Sequence, residues 1–402
     1  MVKNCFLFIL LFLSVSLSAQ NIWRAQLQRE DGQVIVFNFE LKTINQKPVL
    51  YIINAAERIK VSQIKIIKDS VFIQMPVFES QFKAKIISNK KWEGVWIKGG
   101  AVKDAILPFI AELSDKRFDI NQAAKQNISG TWAATFKNVK GTEDPAIAEF
   151  QQHGNILSGT ILTTTGDYRY LSGSLNGDTL SLSTFDGGHA FLFTAIVNND
   201  HSITNGKFYS GVTFSQDWYA EKNDHPVLPN SSAMFLRAGE ERLNFRFPDL
   251  NNKMVSINDA KFKNKVVIIQ IMGSWCPNCM DETAFLSEYY QNNKQRGIEV
   301  IALAYEYSTD VNRSIKSIQK FKDRFNVQYP MLNTGVTVND SLRTEKTLPQ
   351  LTPIKMFPST IIIGKDGKVK KIDTGFFGPG TSEHYIAFKK EFEATINALL
   401  KE

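Results

Sequence analysis

Val266-Val-Ile-Ile-Gln-Ile-Met272 runs directly into Gly273-Ser-Trp-Cys276-Pro-Asn-Cys279. An unbroken apolar run of this length between polar flanks reads as a buried strand. Gly273 and Ser274 end it. Pro277 then presets the backbone for the first turn of a helix, where its missing N–H is no loss. Two thiols therefore stand at a helix N-terminus, three positions apart and on one face. The unpaired N–H groups and the helix dipole there favour a thiolate over a thiol, which makes this a place for disulfide chemistry. The competing readings of Cys-x-x-Cys are a zinc half-site and an inert structural disulfide. Zinc needs two further ligands at suitable spacing, whereas the chain offers one other cysteine and five scattered histidines. No metal or other cofactor is expected.

The rest of the sequence sets the context for this pair. At 402 residues the chain is long enough for two or three separate cores. Its net charge of +7, from 47 basic and 40 acidic residues, is mild for that length. No arginine-rich or lysine-rich block marks a nucleic-acid groove, so no nucleic-acid partner is expected. The first residues have the form of a secretion signal (1–19). Lys3 supplies the charged start, Phe6 to Leu13 an apolar run continued by Val15 and Leu17, and Ser16 to Ala19 small residues before a cut at Ala19/Gln20. The apolar core falls short of the roughly 20 residues that span a bilayer, so cleavage rather than retention as an anchor is expected. Position 20 is Gln, which excludes the lipoprotein variant. Cys5 leaves with such a signal, and the mature chain keeps one pair, Cys276 and Cys279. An exported protein that used disulfides as staples would carry more than one pair, so this pair is expected to work rather than to hold.

From residue 21 to about 222 the pattern is strand-like. Val34-Ile-Val-Phe-Asn-Phe-Glu-Leu41, Ile64-Lys-Ile-Ile67 and Val71-Phe-Ile-Gln-Met75 are rich in β-branched and aromatic residues, and Gly-containing turns punctuate them. Trp132 stands 109 positions after Trp23, and the same shift carries Ile52 to Ile161, Asp69 to Asp178, Val71 to Leu180 and Phe82 to Phe191. One constant offset favours two similar β units, placed at 21–117 and 128–222, each the size of a small sandwich or open barrel. A short helical connector is expected over Asp119 to Asn127. His153, His189 and His201 read as isolated surface or turn residues. Trp92, Trp96, Trp132 and Trp218 could line a cleft, but aromatics in β units more often form core. This half carries no recognisable chemistry and reads as a packing or docking module, with an envelope glycan or protein as its conceivable partner.

Residues 223–239, with Pro226 and Pro229 and no periodicity, read as a linker. From 240 to 402 strands and helices alternate. Leu243–Phe247 and Met254–Ile257 form a leading hairpin. The strand at 266–272 is followed by a helix from Pro277 to about Gln295 and a second buried strand over 298–304. A helix over Asp310–Phe325 carries the apolar stripe Val311, Ile315, Ile318, Phe321 and Phe325. A short strand at Tyr329–Leu332, a helix over Val338–Lys346, a hairpin of 359–363 with 369–374 and a last helix from Ser382 complete the domain. The expected fold is multidomain: two sandwich- or barrel-like β units, then an α/β domain whose mixed sheet has a parallel core.

That order, with Trp275-Cys-Pro-Asn-Cys279 and the later Phe357-Pro358-Ser-Thr360 before a strand, resembles the thioredoxin superfamily. More narrowly, it is similar to exported thiol–disulfide oxidoreductases of the TlpA/ResA kind. The resemblance covers 240–402. It implies that Cys276 is the exposed nucleophile, Cys279 the partly buried resolving thiol and Pro358 a cis proline that brings the Phe357 backbone beside the sulfurs. It makes Trp275 the aromatic before the nucleophile and Glu282 a carboxylate that handles protons for the pair, the competing reading of Glu282 being an exposed helix acid. Trp275, Pro277, Phe357 and Pro358 would border the substrate. Phe357 departs from the small or β-branched residue that many members carry, and Leu348-Pro-Gln-Leu-Thr-Pro353 is a longer approach. The implied activity is reduction of disulfides in envelope proteins, with a membrane thiol relay as electron donor. The alternatives are a peroxide-reducing enzyme, against which the P-x-x-x-T-x-x-C arrangement is absent, a copper chaperone using two soft thiolates, and a docking module with a redox passenger.

Overall fold

The computed structural model describes residues 21–229 and 234–402. The signal expected over 1–19, with Cys5, lies outside the described residues, as does residue 230–233 of the linker.

Period-two burial along the front half, with buried and part-exposed residues alternating over Ile22–Gln28 and again over Gly130–Lys137, builds two antiparallel sheets rolled around aromatic cores. In the first unit, β1 (Ile22–Gln28), β2 (Val34–Ile44), β3 (Lys47–Asn54), β4 (Glu57–Val61), β5 (Gln63–Ile67), β6 (Ser70–Gln74), β7 (Ser80–Ser88), β8 (Lys91–Lys98) and β9 (Ala105–Leu113) lie in the order β4-β3-β2-β1-β9-β8-β7-β6-β5. Pairing of β1 with β9 joins the ends of the meander and leaves a seam between β4 and β5. The second unit comprises β10 (Gly130–Lys137), β11 (Glu143–His153), β12 (Ile156–Thr163), β13 (Gly166–Asp167), β14 (Leu171–Asn176), β15 (Thr179–Phe185), β16 (Ala190–Asn199), β17 (Ser202–Ser210) and β18 (Phe214–Lys222). Here β10 pairs with β18, and β11 with β12, so the barrel closes and loses its edges. The shift of 109 positions lays β2, β3 and β9 end to end on β11, β12 and β18. Trp92, Trp96, Trp132 and Trp218 are each 4% exposed or less and serve as core, not as cleft walls.

The two units share apolar core. Phe185 of β15 sits within the first unit's cluster and stacks on Phe37 at 4.2 Å. Its backbone exchanges hydrogen bonds with the Asn54 side chain in both directions. The helix expected over 119–127 does not form. The Asn176 side-chain oxygen accepts the N–H groups of Asn121 and Gln122, and Lys125 N–H donates to Gly177 O, so the second unit takes donors that a helix would have used.

The C-terminal domain opens with a hairpin of β19 (Arg246–Pro248) and β20 (Met254–Ser256), shorter and later than the expected Leu243–Phe247 arm. There follow β21 (Val266–Met272), α1 (Pro277–Asn293), β22 (Ile298–Ala304), α2 (Val311–Arg324), β23 (Met331–Asn333), α3 (Arg343–Thr347), β24 (Ser359–Ile363), β25 (Val369–Thr374) and α4 (Glu383–Lys401). The sheet order is β23-β22-β21-β24-β25, with β21, β22 and β23 parallel and β24 and β25 antiparallel. Central β21 is buried along its whole length, as its continuous apolar run requires. The helix expected from Val338 starts only at Arg343, because Asp340 turns its carboxylate onto the Leu342 N–H and holds a turn there. No helix among the described residues is long and apolar enough to cross a membrane.

Candidate active site

The thiols lie where β21 hands over to α1, at the carboxyl end of the central strand, a position at which open α/β sheets form their sites. Cys276 is the N-cap of α1 and Pro277 follows in the first turn. The Cys276 Sγ accepts the N–H of Cys279 at 3.2 Å and donates to the Phe357 carbonyl at 3.4 Å. The Phe357–Pro358 peptide is cis. Trp275 donates its indole N–H to Tyr305 O at 2.9 Å, and its ring lies 5.5 Å from Phe357. Residues 81 positions apart in sequence thus meet at one sulfur. Cys276 and Cys279 are both free thiols.

Cys279 is fully buried, and burial together with its hydrogen bond to Cys276 pushes the thiol well above its ordinary value. Glu282 stands one helical turn further on and is also buried, which sets aside the reading of it as an exposed helix acid. Its two oxygens accept from Thr360 Oγ1 on β24 and from Gln270 Nε2 on β21, the latter at 2.8 Å. Burial raises the carboxyl to about 7, against the pull of those two hydrogen bonds. The Glu282 charge in turn adds to the upward push on Cys279. The thiol and the carboxyl are thus linked electrostatically.

This has a consequence for stability. Glu282 titrates near 4.5 when exposed and at about 7 in the fold, so the folded state binds the extra proton in between. Its contribution to stability is therefore present below that window and lost as pH rises through it. Urea unfolding of the Glu282→Gln variant should show a flatter dependence from pH 4.5 to 7 than wild type, by roughly 1–3 kcal/mol at about 1.4 kcal/mol per pKa unit. Parallel curves would show that Glu282 does not titrate in this range.

The expectation that Cys276 is exposed is corrected by the structure: it is 3% exposed. Trp275, Pro277, Asn278 and Phe357 around it are only half-buried. The β half contributes to the cluster in which Cys276 lies. The turn between β6 and β7 inserts Val77 and Phe78 into the apolar cluster that holds Cys276, Cys279 and Met280. Glu79 of the same turn pairs with Arg313 on α2 at 2.7 Å. On the opposite flank the second barrel grips the start of α1. Asn278 donates to the Asp167 carbonyl at 3.1 Å, Gly378 N–H donates to the Asp167 carboxylate at 2.7 Å, and Arg169 bridges Glu57 and Asp281. His189 does occupy a turn, but it is not isolated. It pairs with Asp186 at 3.0 Å, and its ring meets Phe78 edge-on at 5.0 Å.

A redoxin family model matches residues 237–386. The chain is 26% identical over 166 residues to the thiol-disulfide oxidoreductase ResA of Halalkalibacterium halodurans, covering 41% of this chain and 78% of the relative. It is 25% identical over 157 residues to the ResA of Bacillus subtilis, covering 39% and 78%. Among solved structures, a thiol:disulfide interchange protein of the thioredoxin family from Chlorobium tepidum TLS is 17% identical, with a TM-score of 0.30 over 40% of this chain and 95% of that one. The C-terminal domain is a thioredoxin-superfamily thiol–disulfide oxidoreductase domain.

Within this redoxin domain several residues escaped the sequence reading. Glu306, just beyond β22, accepts the Ser274 N–H at 2.9 Å and the Ser274 hydroxyl, and so fixes the turn that presents Cys276. Burial raises its carboxyl to about 7. An acid at the carboxyl end of the strand beside the thiol-bearing one is the signal that could have found it. Asn278 and Asp281 carry no such signal. Their partners, Asp167 and Arg169, are more than a hundred positions away in a domain whose docking no local pattern encodes.

Proposed function

We propose that the protein is an exported enzyme that reduces protein disulfides in the cell envelope through Cys276 and Cys279. The single observation that carries the reading is the Cys276 Sγ held at a helix N-cap between the Cys279 N–H and the Phe357 carbonyl. In the first step the Cys276 thiolate attacks one sulfur of the substrate disulfide. A Cys276–substrate bond forms, and the other substrate sulfur leaves as a thiolate that takes a proton. In the second step Cys279 loses its proton to the Glu282 carboxylate and attacks the Cys276 sulfur. The Cys276–Cys279 disulfide forms and the reduced substrate departs. Two electrons pass from the enzyme dithiol to the substrate, and an envelope thiol relay in the membrane restores them. Trp275, Pro277, Phe357 and Pro358 border the position of the attacked disulfide. The raised Glu282 carboxyl suits the second step, since near neutral pH it can both take and return a proton.

The test is turnover of insulin disulfides and glutathione disulfide with a dithiol donor. Wild type should turn over, and Cys276→Ser should lose all activity. Retained activity in Cys276→Ser would remove the nucleophile assignment. Related couples span about −270 to −120 mV, and a measured potential near the upper end would make the protein an oxidant instead.

A further inference from the structure

Taking Cys276 as the attacking sulfur, as the oxidoreductase reading has it, we propose that the β half is a displaceable cap whose β6–β7 turn occupies the docking groove of the substrate polypeptide. Exchange requires a substrate sulfur to approach the Cys276 sulfur, and a residue 3% exposed offers it little room. The apolar cluster that holds Cys276 takes in a pair from this chain's own first barrel, Val77 and Phe78, each 3% exposed. Phe78 also shares a cavity with Trp275, Tyr307 and Glu306. The groove is therefore shaped for a short apolar segment, and the substrate class it fits is a polypeptide with a bulky apolar side chain beside its disulfide.

The two interfaces of the β half differ in kind, and this tells which one opens. The barrels are joined by shared core, with Phe185, Ala190 and Leu192 of the second packed into the first. The second barrel also packs tightly behind the turn: a Cβ placed on Gly188 would lie 2.4 Å from Cγ of Phe78. The barrels therefore move together. The contact with the redox domain has two flanks: at the start of α1 it is the buried Arg169–Asp281 pair with Asp167 bound by Asn278 and Gly378, and beside the Val77–Phe78 insertion it is polar and partly exposed. Glu79 and Arg313 are each about a third exposed, at 32% and 31% of their side chains. Lys320 Nζ reaches Phe78 O at 3.4 Å, and His384 meets Glu149 at 2.9 Å. Partly exposed ion pairs of this kind contribute little net free energy. On the flank of the β6–β7 turn the cap is held by a small apolar plug and weak polar clasps, so a competing apolar segment replaces the plug there while the buried Arg169–Asp281 pair keeps the opposite flank as the pivot.

The experiment is iodoacetamide labelling of Cys276 in the full reduced chain, followed by peptide mass mapping and paired with insulin turnover. The variants are Phe78→Ala, Arg313→Glu and the swap Glu79→Arg with Arg313→Glu. Arg313→Glu sets two carboxylates against each other and should label about tenfold faster than wild type, as a shift of the closed population by that factor requires. Phe78→Ala should change in the same direction, and the swap should return the rate towards wild type. Equal rates in wild type and all three folded variants would overturn the cap while leaving the oxidoreductase reading intact. Labelling that follows the expected order with no insulin turnover in any protein would do the opposite.

Discussion

The Cys279→Ser variant is expected to become a covalent trap. Cys276 can still attack, so the mixed disulfide forms, but the sulfur that would displace it is gone. The adduct then leaves only by external thiols, and turnover should fall by on the order of a thousandfold or more. Geometry sets which cysteine plays which part. Cys276 is the N-cap and faces the Phe357 carbonyl on the substrate side, whereas Cys279 lies one turn inside and is fully buried. Burial also raises the Cys279 thiol, so it is a poor first attacker, and the proposed second attack draws on Glu282. Non-reducing electrophoresis and mass spectrometry of material captured from an envelope extract should find partners on Cys276 of Cys279→Ser. Cys276→Ser should carry none. Adducts on Cys279 of Cys276→Ser would exchange the two roles and sink the assignment.

What the sequence made legible was whatever local pattern controls. The apolar run of β21, the Gly273–Ser274 break and Pro277 fix strand, turn and helix within a few residues of one another. The thiol pair and Glu282 therefore lie at the cap and in the first turns of one helix. The 109-residue offset likewise works because an alternating strand and its turn are local devices, repeated with the same lengths. Failures came where a distant partner overrode a local preference. Residues 119–127 lost their helix because Asn176 and Gly177 claimed their N–H groups. Cys276 lost its expected exposure within a cluster that draws Val77 and Phe78 from the first barrel, some two hundred positions away. Glu57, Asp167, Arg169 and Asp281 come from three units, and each looks like an ordinary surface residue until the units meet. A buried charge is recognised by its partners, and a sequence does not say which charges will be buried together.

Arg169→Met is expected to destabilise the assembled protein by about 3–5 kcal/mol, the usual cost of removing one partner from a buried ion pair. Arg169 follows β13 in the second barrel, and it binds Glu57 of the first barrel and Asp281 of the redox domain, with side chains 7%, 12% and 11% exposed. Burial works against the Arg169 charge, but Asp281 and Glu57 outweigh it and hold its pKa above the ordinary arginine value. Without the cation, two buried carboxylates face one another unpaired. Burial already pushes the Asp281 carboxyl up while Arg169 pulls it down, so the variant should push it further up. The folded variant then binds an extra proton from the ordinary aspartate value upward. Its deficit should be small near pH 4.5 and grow as the pH rises through neutrality. Urea unfolding at pH 5 and pH 8, followed by separate probes because three units need not unfold together, should show this growth. A loss below about 1 kcal/mol at both values would mean that the charges find solvent instead. The triple replacement Glu57→Met, Arg169→Met and Asp281→Met separates charge from packing. Apolar side chains in place of a whole buried network are often neutral or stabilising, so this variant should recover most of the stability. The Arg169 cluster would then act chiefly in register, fixing how the barrels sit over Cys276, with little net contribution to stability.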